Sequence, residues 1–114
     1  MAYTPGKTRR YEDLIRLEGG RAMEGRALLV GPLAVEVRAF VAIPQYIAKS
    51  KAKMAAAISG ALRPTTKPDL DNYSKTIDGL NGIAWTDDAQ IVWLLATKHY
   101  SDKPRLELSA KELD

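Results

Sequence analysis

The segment between Pro68 and Gly82 restricts the fold more than any other, because both of its ends are marked. Pro68 disfavours helical geometry at the preceding residue, and Asp69 suits the N-cap of a helix. Asn81 followed by glycine is a typical helix stop. These signals predict a helix from about 70 to 80.

The predicted helix has an apolar side and a charged side. Apolar residues at positions i, i+4 and i+7 predict a buried stripe, formed by Tyr73, Ile77 and Leu80. Charged residues repeat this spacing two positions earlier, at Asp71, Lys75 and Asp78. The two sets lie roughly 200° apart around the helix axis. We therefore expect the charged stripe to face away from the core.

The first half of the chain predicts two helices and a strand. Apolar spacing predicts a helix from about 8 to 24, which Gly19-Gly20 would interrupt. Alternation from Val35 to Ile43 predicts a strand that Pro44 ends. The alanine-rich stretch 49–61 predicts a short helix.

The last quarter of the chain predicts a closing antiparallel hairpin. Residues 90–100 are typical of a strand, residues 101–104 of a turn, and a second alternating run follows from Arg105. Together these elements predict an α+β fold with a mixed sheet of three or four strands and two main helices. At 114 residues, we expect a single domain spanning 1–114.

Composition restricts the kinds of site that the chain can build. It has no cysteine and one histidine, which excludes thiolate metal sites and argues against a histidine-based zinc site. No apolar run reaches the roughly 18 residues that span a bilayer, and the start does not resemble a signal peptide. These observations favour a cytoplasmic protein whose metal ligands, if it has any, are carboxylates.

Acidic residues are crowded in the second half of the sequence. Five aspartates lie within twenty residues, at positions 69, 71, 78, 87 and 88. Crowded carboxylates repel one another unless a hard cation such as Mg²⁺, which takes oxygen ligands, lies between them. The cluster therefore indicates a metal site.

A basic stretch precedes the acidic one. Residues 39–68 contain no acid. They carry five cations, Lys49, Lys51, Lys53, Arg63 and Lys67. Such residues neutralise phosphates without reading base sequence. A basic surface beside a metal site suggests the hypothesis of metal-dependent phosphodiester hydrolysis.

Each charged feature also has a structural alternative. Asp69 and Asp71 suit the first turn of a helix, where the helix dipole favours acids, and Asp71 with Lys75 suits an i, i+4 surface pair. Asp87 and Asp88 suit a turn before a strand, and the basic run suits a solvated face. Their occurrence within forty residues, in a stretch where the acids lack obvious local cations, favours one shared site.

Three other residues have simpler interpretations. We expect His99 to be a surface or structural residue rather than a metal ligand. Trp85 and Trp93 flank apolar runs, so we expect both to anchor the core rather than stack on bases.

Two consecutive motifs carry a resemblance to a known family. The first is Lys67-Pro-Asp-Leu-Asp-Asn-x-x-Lys75, and the second is Trp85-Thr-Asp-Asp-Ala-Gln-Ile91. Together they resemble the RusA family of Holliday-junction resolvases, particularly its phage and prophage members. The resemblance covers most of the chain from Tyr3 onward.

The resemblance implies a RusA-like fold and a homodimeric, Mg²⁺-dependent endonuclease, with Mn²⁺ as a substitute ion. Such an enzyme cuts four-way DNA junctions during recombination and repair. By position, the catalytic metal ligands would be Asp69, Asp71 and Asp88, and the catalytic lysine would be Lys75. Residues orienting them would be Asn72, Asp78 and Asp87. DNA contacts would come from Lys49, Lys51, Lys53, Arg63 and Lys67.

One difference from the family concerns the start of the chain. Family members usually begin with another strand before the segment equivalent to Tyr3–Thr8, and the resemblance predicts that this chain lacks it. Two other functions stay open: a protein that binds branched DNA without cutting it, and a metal nuclease without branch selectivity.

Overall fold

The computed structural model describes residues 8–114, with side chains from Asp13 onward. In chain order the helices are α1 (Thr8–Ala22), α2 (Gln45–Ala48), α3 (Lys51–Ser59) and α4 (Leu70–Ser74), with 3₁₀ helices η1 (Lys75–Leu80) and η2 (Asp88–Gln90). The strands are β1 (Leu33–Ala42), β2 (Ile91–Ser101) and β3 (Arg105–Glu112). A mixed sheet with several helices confirms the predicted α+β class.

The three described strands form one sheet in the order β2-β1-β3. Strand β1 pairs parallel with β2 and antiparallel with β3, so that Val37 lies between Ala96 and Leu108. The predicted β2–β3 hairpin is therefore wrong. The turn at 101–104 reverses the chain, but β1, the strand with the most buried residues, takes the central place where both of its edges are paired.

The core lies on one face of this sheet. Val35, Val37 and Ala39 of β1 and Leu106 of β3 are buried there together with Ile15 of α1. The same cluster contains the predicted stripe and one tryptophan, namely Tyr73, Ile77, Leu80 and Trp85. Burial of the stripe confirms that helix prediction, although the second half of the predicted helix winds as the tighter 3₁₀ form.

Helix α1 packs directly against η1. The helix runs without a break through Gly19 and Gly20, so the predicted interruption is wrong. A Cβ atom at Gly19 would collide with the side chain of Leu80. Close packing of two helices thus overrides the low helix propensity of glycine. Arg16 Nη1 also donates to the carbonyl of Gly79 at 3.1 Å, which fastens the two elements together.

A second, smaller cluster holds the predicted short helix. Ile47 and Ala57 pack with Tyr100 near the end of β2. Helix α3 begins at the Ser50 N-cap, whose hydroxyl accepts from the Lys53 amide, and ends at Gly60 in the left-handed conformation. The 49–61 helix prediction is confirmed, with α2 as an addition.

The first half of β2 is unusually exposed for an apolar strand. Trp85 is buried as predicted, but Trp93 is 51% exposed, and its neighbours Val92, Leu94 and Leu95 are exposed too. The prediction of Trp93 as a core anchor is therefore wrong. Trp93 pairs with Ala34 and so lies on the face of the sheet opposite Val35, away from the core.

Among residues 8–114, no helix combines the length and apolarity needed to cross a membrane.

Candidate active site

The charged row on α4 and η1 faces outward. Asp71, Lys75 and Asp78 are all exposed, while the stripe on the other side of the segment is buried. Lys75 Nζ lies 3.7 Å from Asp71 Oδ2, with both side chains about 70% exposed (72% and 69%). Because η1 has three residues per turn, Lys75 and Asp78 lie nearly above one another. The segment therefore presents an acid, a cation and an acid in one line.

Asp69 occupies the N-cap position of α4 without acting as a cap. Its backbone is extended (φ −70°, ψ 155°), but its carboxylate makes no capping hydrogen bond. The Asp69 Oδ2 atom lies instead 3.8 Å from Lys67 Nζ. The helix therefore does not use this carboxylate as a cap, and its ion pair with Lys67 is exposed to solvent.

Both acids near the start of α4 thus have a local lysine. The Asp71–Lys75 pair is the i, i+4 pair that the spacing offered, whereas the Lys67 partner of Asp69 was not expected from sequence. In the Lys67–Asp69 pair and in the Asp71–Lys75 pair, both side chains are more than half exposed. Exposed ion pairs of this kind typically contribute only about 0–1 kcal/mol. Such weak pairs allow both carboxylates to exchange a lysine for a metal ion.

Asp87 and Asp88 have different local roles. Asp87 is the N-cap of η2, where its Oδ1 accepts from the Ala89 amide at 3.1 Å. Gln90 completes a capping box by accepting from the amides of Thr86 and Asp87. Asp87 therefore stabilises the turn as its N-cap. Asp88 is the first residue of η2, and its side chain is partly exposed.

Gln90 is a residue whose role the sequence interpretation missed. Besides completing the capping box, its Nε2 donates to the carbonyls of Leu29 and Gly31, at 3.3 and 3.2 Å. These bonds fix the Asp87–Gln90 turn against the segment that enters β1. The spacing Asp-x-x-Gln is the signal that could have identified it, since it is the pattern of a capping box.

The structure does not gather the three predicted metal ligands. Among residues 13–114, no three aspartates, glutamates or histidines lie close enough to hold one metal ion. Asp69 and Asp71 lie within one turn of each other, but Asp88 does not complete a group with them. The donor types fit a hard cation such as Mg²⁺, since all three are carboxylates. Only the assembled geometry is absent from the described chain.

The predicted DNA-contacting cations fall into two groups. Lys49 is exposed just after α2, Lys51 and Lys53 are exposed on α3, and Lys67 is exposed beside Asp69. Arg63 is engaged instead with strand β2. Its Nη1 donates to the carbonyl of Lys98 at 3.1 Å and to the ring of His99 at 3.2 Å.

His99 has a structural place on the open face of the sheet. Its ring stacks on Phe40 with centroids 5.1 Å apart. Because Arg63 can only donate, His99 Nδ1 accepts, and Nε2 donates to Thr97 Oγ1 at 2.8 Å. Burial first, and then the Arg63 charge, lower the pKa of His99. The ring is therefore neutral and held in one tautomer.

Comparison with known proteins points to one family. A sequence model of the family described as endodeoxyribonuclease RusA matches residues 1–110. The uncharacterized protein YqaN of Bacillus subtilis (strain 168) is 36% identical over 110 residues, which cover 96% of this chain and 77% of YqaN. The crossover junction endodeoxyribonuclease rusA of Lactococcus phage r1t is 41% identical over 51 residues, covering 43% of this chain and 39% of the phage protein.

Proposed function

We infer the function of this chain from one premise: it belongs to the endodeoxyribonuclease RusA family. We propose that it is a Mg²⁺-dependent endonuclease that hydrolyses phosphodiester bonds at four-way DNA junctions as a homodimer, in the cytoplasm. The observation that carries the proposal is the outward row of Asp71, Lys75 and Asp78. Beside it lies Asp69, whose carboxylate makes no capping hydrogen bond.

The residues proposed to hold the metal ion are Asp69, Asp71 and Asp88. When bound, Mg²⁺ or Mn²⁺ would supply positive charge at the phosphate and lower the pKa of a coordinated water. Asp69 and Asp71 are suited to this role because their carboxylates make only exposed ion pairs. Asp87 would place Asp88 through the turn that it caps, while Asn72 and Asp78 would orient the ligands or Lys75.

Lys75 is proposed to act on the phosphate. Its side chain is 72% exposed and its ammonium lies beside Asp71, so it can contact a phosphate oxygen at the same place where a metal would bind. A fixed cation there would stabilise the negative charge that develops on the phosphate oxygens during hydrolysis.

The proposed DNA surface consists of exposed lysines around this row. They are Lys49 after α2, Lys51 and Lys53 on α3, and Lys67 beside Asp69. All four side chains are exposed to solvent and would neutralise backbone phosphates. A four-way junction has two equivalent phosphates to cut, which suits a two-fold dimer with one active site in each subunit.

A second candidate function is a protein that binds branched DNA without cutting it. The observation that favours it is the lack of a gathered carboxylate group among residues 13–114. This alternative keeps the lysine surface and the family membership but removes the chemistry.

The two functions separate in one assay. A synthetic four-way junction and a linear duplex of the same sequence are incubated with the protein, with and without Mg²⁺. We expect Mg²⁺-dependent cutting of the junction and little cutting of the duplex. A retarded junction without product would support the binding protein. Equal cutting of both substrates would show a nuclease without branch selectivity.

A further inference from the structure

A reciprocal pair of hydrogen bonds joins strand β2 to the segment that enters α4. Lys98 Nζ donates to the carbonyl of Thr66 at 2.6 Å. In return, Arg63 Nη1 donates to the carbonyl of Lys98 at 3.1 Å. Each cation thus reaches from one segment to a main-chain oxygen of the other. Together the two bonds tie residues 63–66 to one residue of the sheet.

The tie acts on a stretch with little other support. Residues 60–69 contain neither helix nor strand. In the part of the chain that the structure describes, the bonds from Lys98 and Arg63 are the hydrogen bonds that join residues 63–68 to the sheet. Pro64 is buried, but Thr65, Thr66 and Lys67 are exposed. The two cations therefore supply the hydrogen bonds that fasten this stretch to the sheet, alongside the packing of Pro64.

Asp69 lies at the end of that stretch, three residues after Thr66. Its carboxylate makes no capping bond, and α4 has only five residues, too short to be stable without packing. The direction in which the chain enters α4 consequently sets where Asp69 lies relative to Asp71. Movement of Thr66 would change that relation directly.

Lys98 differs from the lysines of the proposed DNA surface. It is partly buried, whereas Lys49, Lys51 and Lys53 are exposed. Its ammonium is committed to a main-chain carbonyl in a short, charge-assisted bond. Arg63 is likewise fixed, because the neutral His99 ring accepts a second bond from it. The side chains of Lys98 and Arg63 are therefore both bound to acceptors within the protein, whereas a DNA-contacting lysine would be free to follow a phosphate.

We propose that Lys98, supported by Arg63, is a positioning residue that holds the 63–69 segment so that Asp69 and Asp71 can share one metal ion. The proposal rests on the proposed function of these two acids. It assigns Arg63 to the same tie rather than to the DNA surface.

The first test measures the tie without any reaction. Hydrogen–deuterium exchange of residues 65–72 is compared in the unmodified protein, Lys98→Met, Lys98→Arg and Lys111→Met. Lys111 is an exposed lysine on β3, so its substitution matches the loss of charge. We expect exchange to rise about tenfold or more in Lys98→Met, as for loss of a bond to a charged donor, and to stay unchanged in Lys111→Met.

Lys98→Arg and one further variant, Arg63→Gln, keep this measurement decisive. Lys98→Arg retains a donor and should recover most of the protection, and Arg63→Gln removes the second bond and should raise exchange even if Lys98→Met does not fold. Unchanged exchange at 65–72 in both Lys98→Met and Arg63→Gln would overturn the proposal.

The second test separates positioning from DNA contact. Junction cutting is titrated with Mg²⁺, and junction binding is measured without metal. We expect Lys98→Met to need about tenfold more Mg²⁺ for half-maximal cutting, the loss that a displaced ligand partner typically causes. Its junction affinity should match that of Lys111→Met. A loss of affinity with unchanged Mg²⁺ dependence would make Lys98 a DNA contact and overturn the proposal.

Failure of the proposed function would look different. If the unmodified protein bound junctions without cutting them, the nuclease assignment would be wrong. The exchange measurement would still decide whether Lys98 holds the segment that carries Asp69.

Discussion

Two groups of ion pairs in this molecule each join carboxylates to basic side chains, but they differ in the cation and in how firmly they are held. On the open face of the sheet, Glu107 accepts from Arg105 Nε at 2.9 Å and from Arg38 Nε at 3.4 Å, and Arg38 also pairs with Glu36 at 2.6 Å. On α4 and η1, Asp71 and Lys75 meet at 3.7 Å. The first group is linked through several bonds, and the second consists of a single exposed pair.

The firm hold on Glu107 shows in the protonation of its carboxyl group. Hydrogen bonds from Arg105 first, and from Arg38, hold the pKa of Glu107 below its ordinary value. Arg105 also lies over the Phe40 ring, at 3.9 Å from the ring centroid, so the arginine is fixed by packing as well as by charge. Where arginine holds an acid in several bonds the pair serves the fold, and where lysine leaves it exposed the acid stays available for function.

The largest expected effect is on activity, at the exposed pair. Asp71→Asn should lower junction cutting by more than about 100-fold, beyond the 10–100-fold typical of residues that only orient metal ligands. The free energy of unfolding should change by less than about 0.5 kcal/mol, since the lost pair is exposed. Single-turnover cutting and urea unfolding measure the two quantities.

Asp102→Asn is the matched control, because Asp102 is an exposed acid in the turn between β2 and β3. It should change neither quantity. Persistent cutting by Asp71→Asn would show that the metal ligands are misassigned, and a large loss of stability would remove the contrast between the two groups.

The opposite pattern is expected at the sheet. Glu107→Gln should lower the free energy of unfolding by about 1 kcal/mol, because it weakens two hydrogen bonds to arginines at a partly exposed site. Cutting per folded molecule should stay unchanged. Urea unfolding beside Asp102→Asn checks the first result. A Glu107→Gln protein as stable as the control would mean that the sheet network is as weak as the pair on α4.

The smallest effect is expected from pH, at His99. The folded protein resists protonation of this ring, because burial and Arg63 lower its pKa, while the unfolded chain binds the proton at the ordinary value. Lowering the pH through the ordinary histidine pKa, from about 7.5 to about 5.5, should therefore reduce the free energy of unfolding. The reduction should be smaller than the effect of Glu107→Gln.

His99→Asn should lose that part of the pH dependence, and urea unfolding at the two pH values measures it. If the free energy of unfolding changed equally with pH in the unmodified protein and in His99→Asn, the contact of Arg63 with His99 would not require a neutral ring. Glu107 contributes in the same direction only at lower pH. Its stabilisation is present above the ordinary glutamate pKa and is lost as the pH falls through the lowered value.

Local patterns predicted the elements that carry the site, because their signals lie within a few residues of one another. The stripe of Tyr73, Ile77 and Leu80, the outward row and the limits of β1 all follow from side-chain spacing and breaker residues. The Asp71–Lys75 pair likewise follows from i, i+4 spacing.

Contacts between distant residues were not predictable in this way. Spacing within β2 and β3 does not reveal that β1 separates them, nor that Trp93 lies on the face away from the core. Similarly, the bond from Lys98 to Thr66 joins residues that no local pattern connects. The low helix propensity of Gly19 predicted a break in the first helix. In the structure the helix is continuous, and the absence of a side chain at Gly19 leaves room for Leu80.

The parallel pairing of β1 and β2 has a consequence for assembly. Every acid of the candidate site lies in the crossover connection that this pairing closes, residues 43–90. Because pairings that close so long a connection form slowly, we expect the site to become ordered only after β1 and β2 have paired. Residues 1–90 contain all five aspartates but lack β2, the strand whose Lys98 is tied to residues 63–66. The acidic motif alone therefore lacks the contacts that position it in this chain.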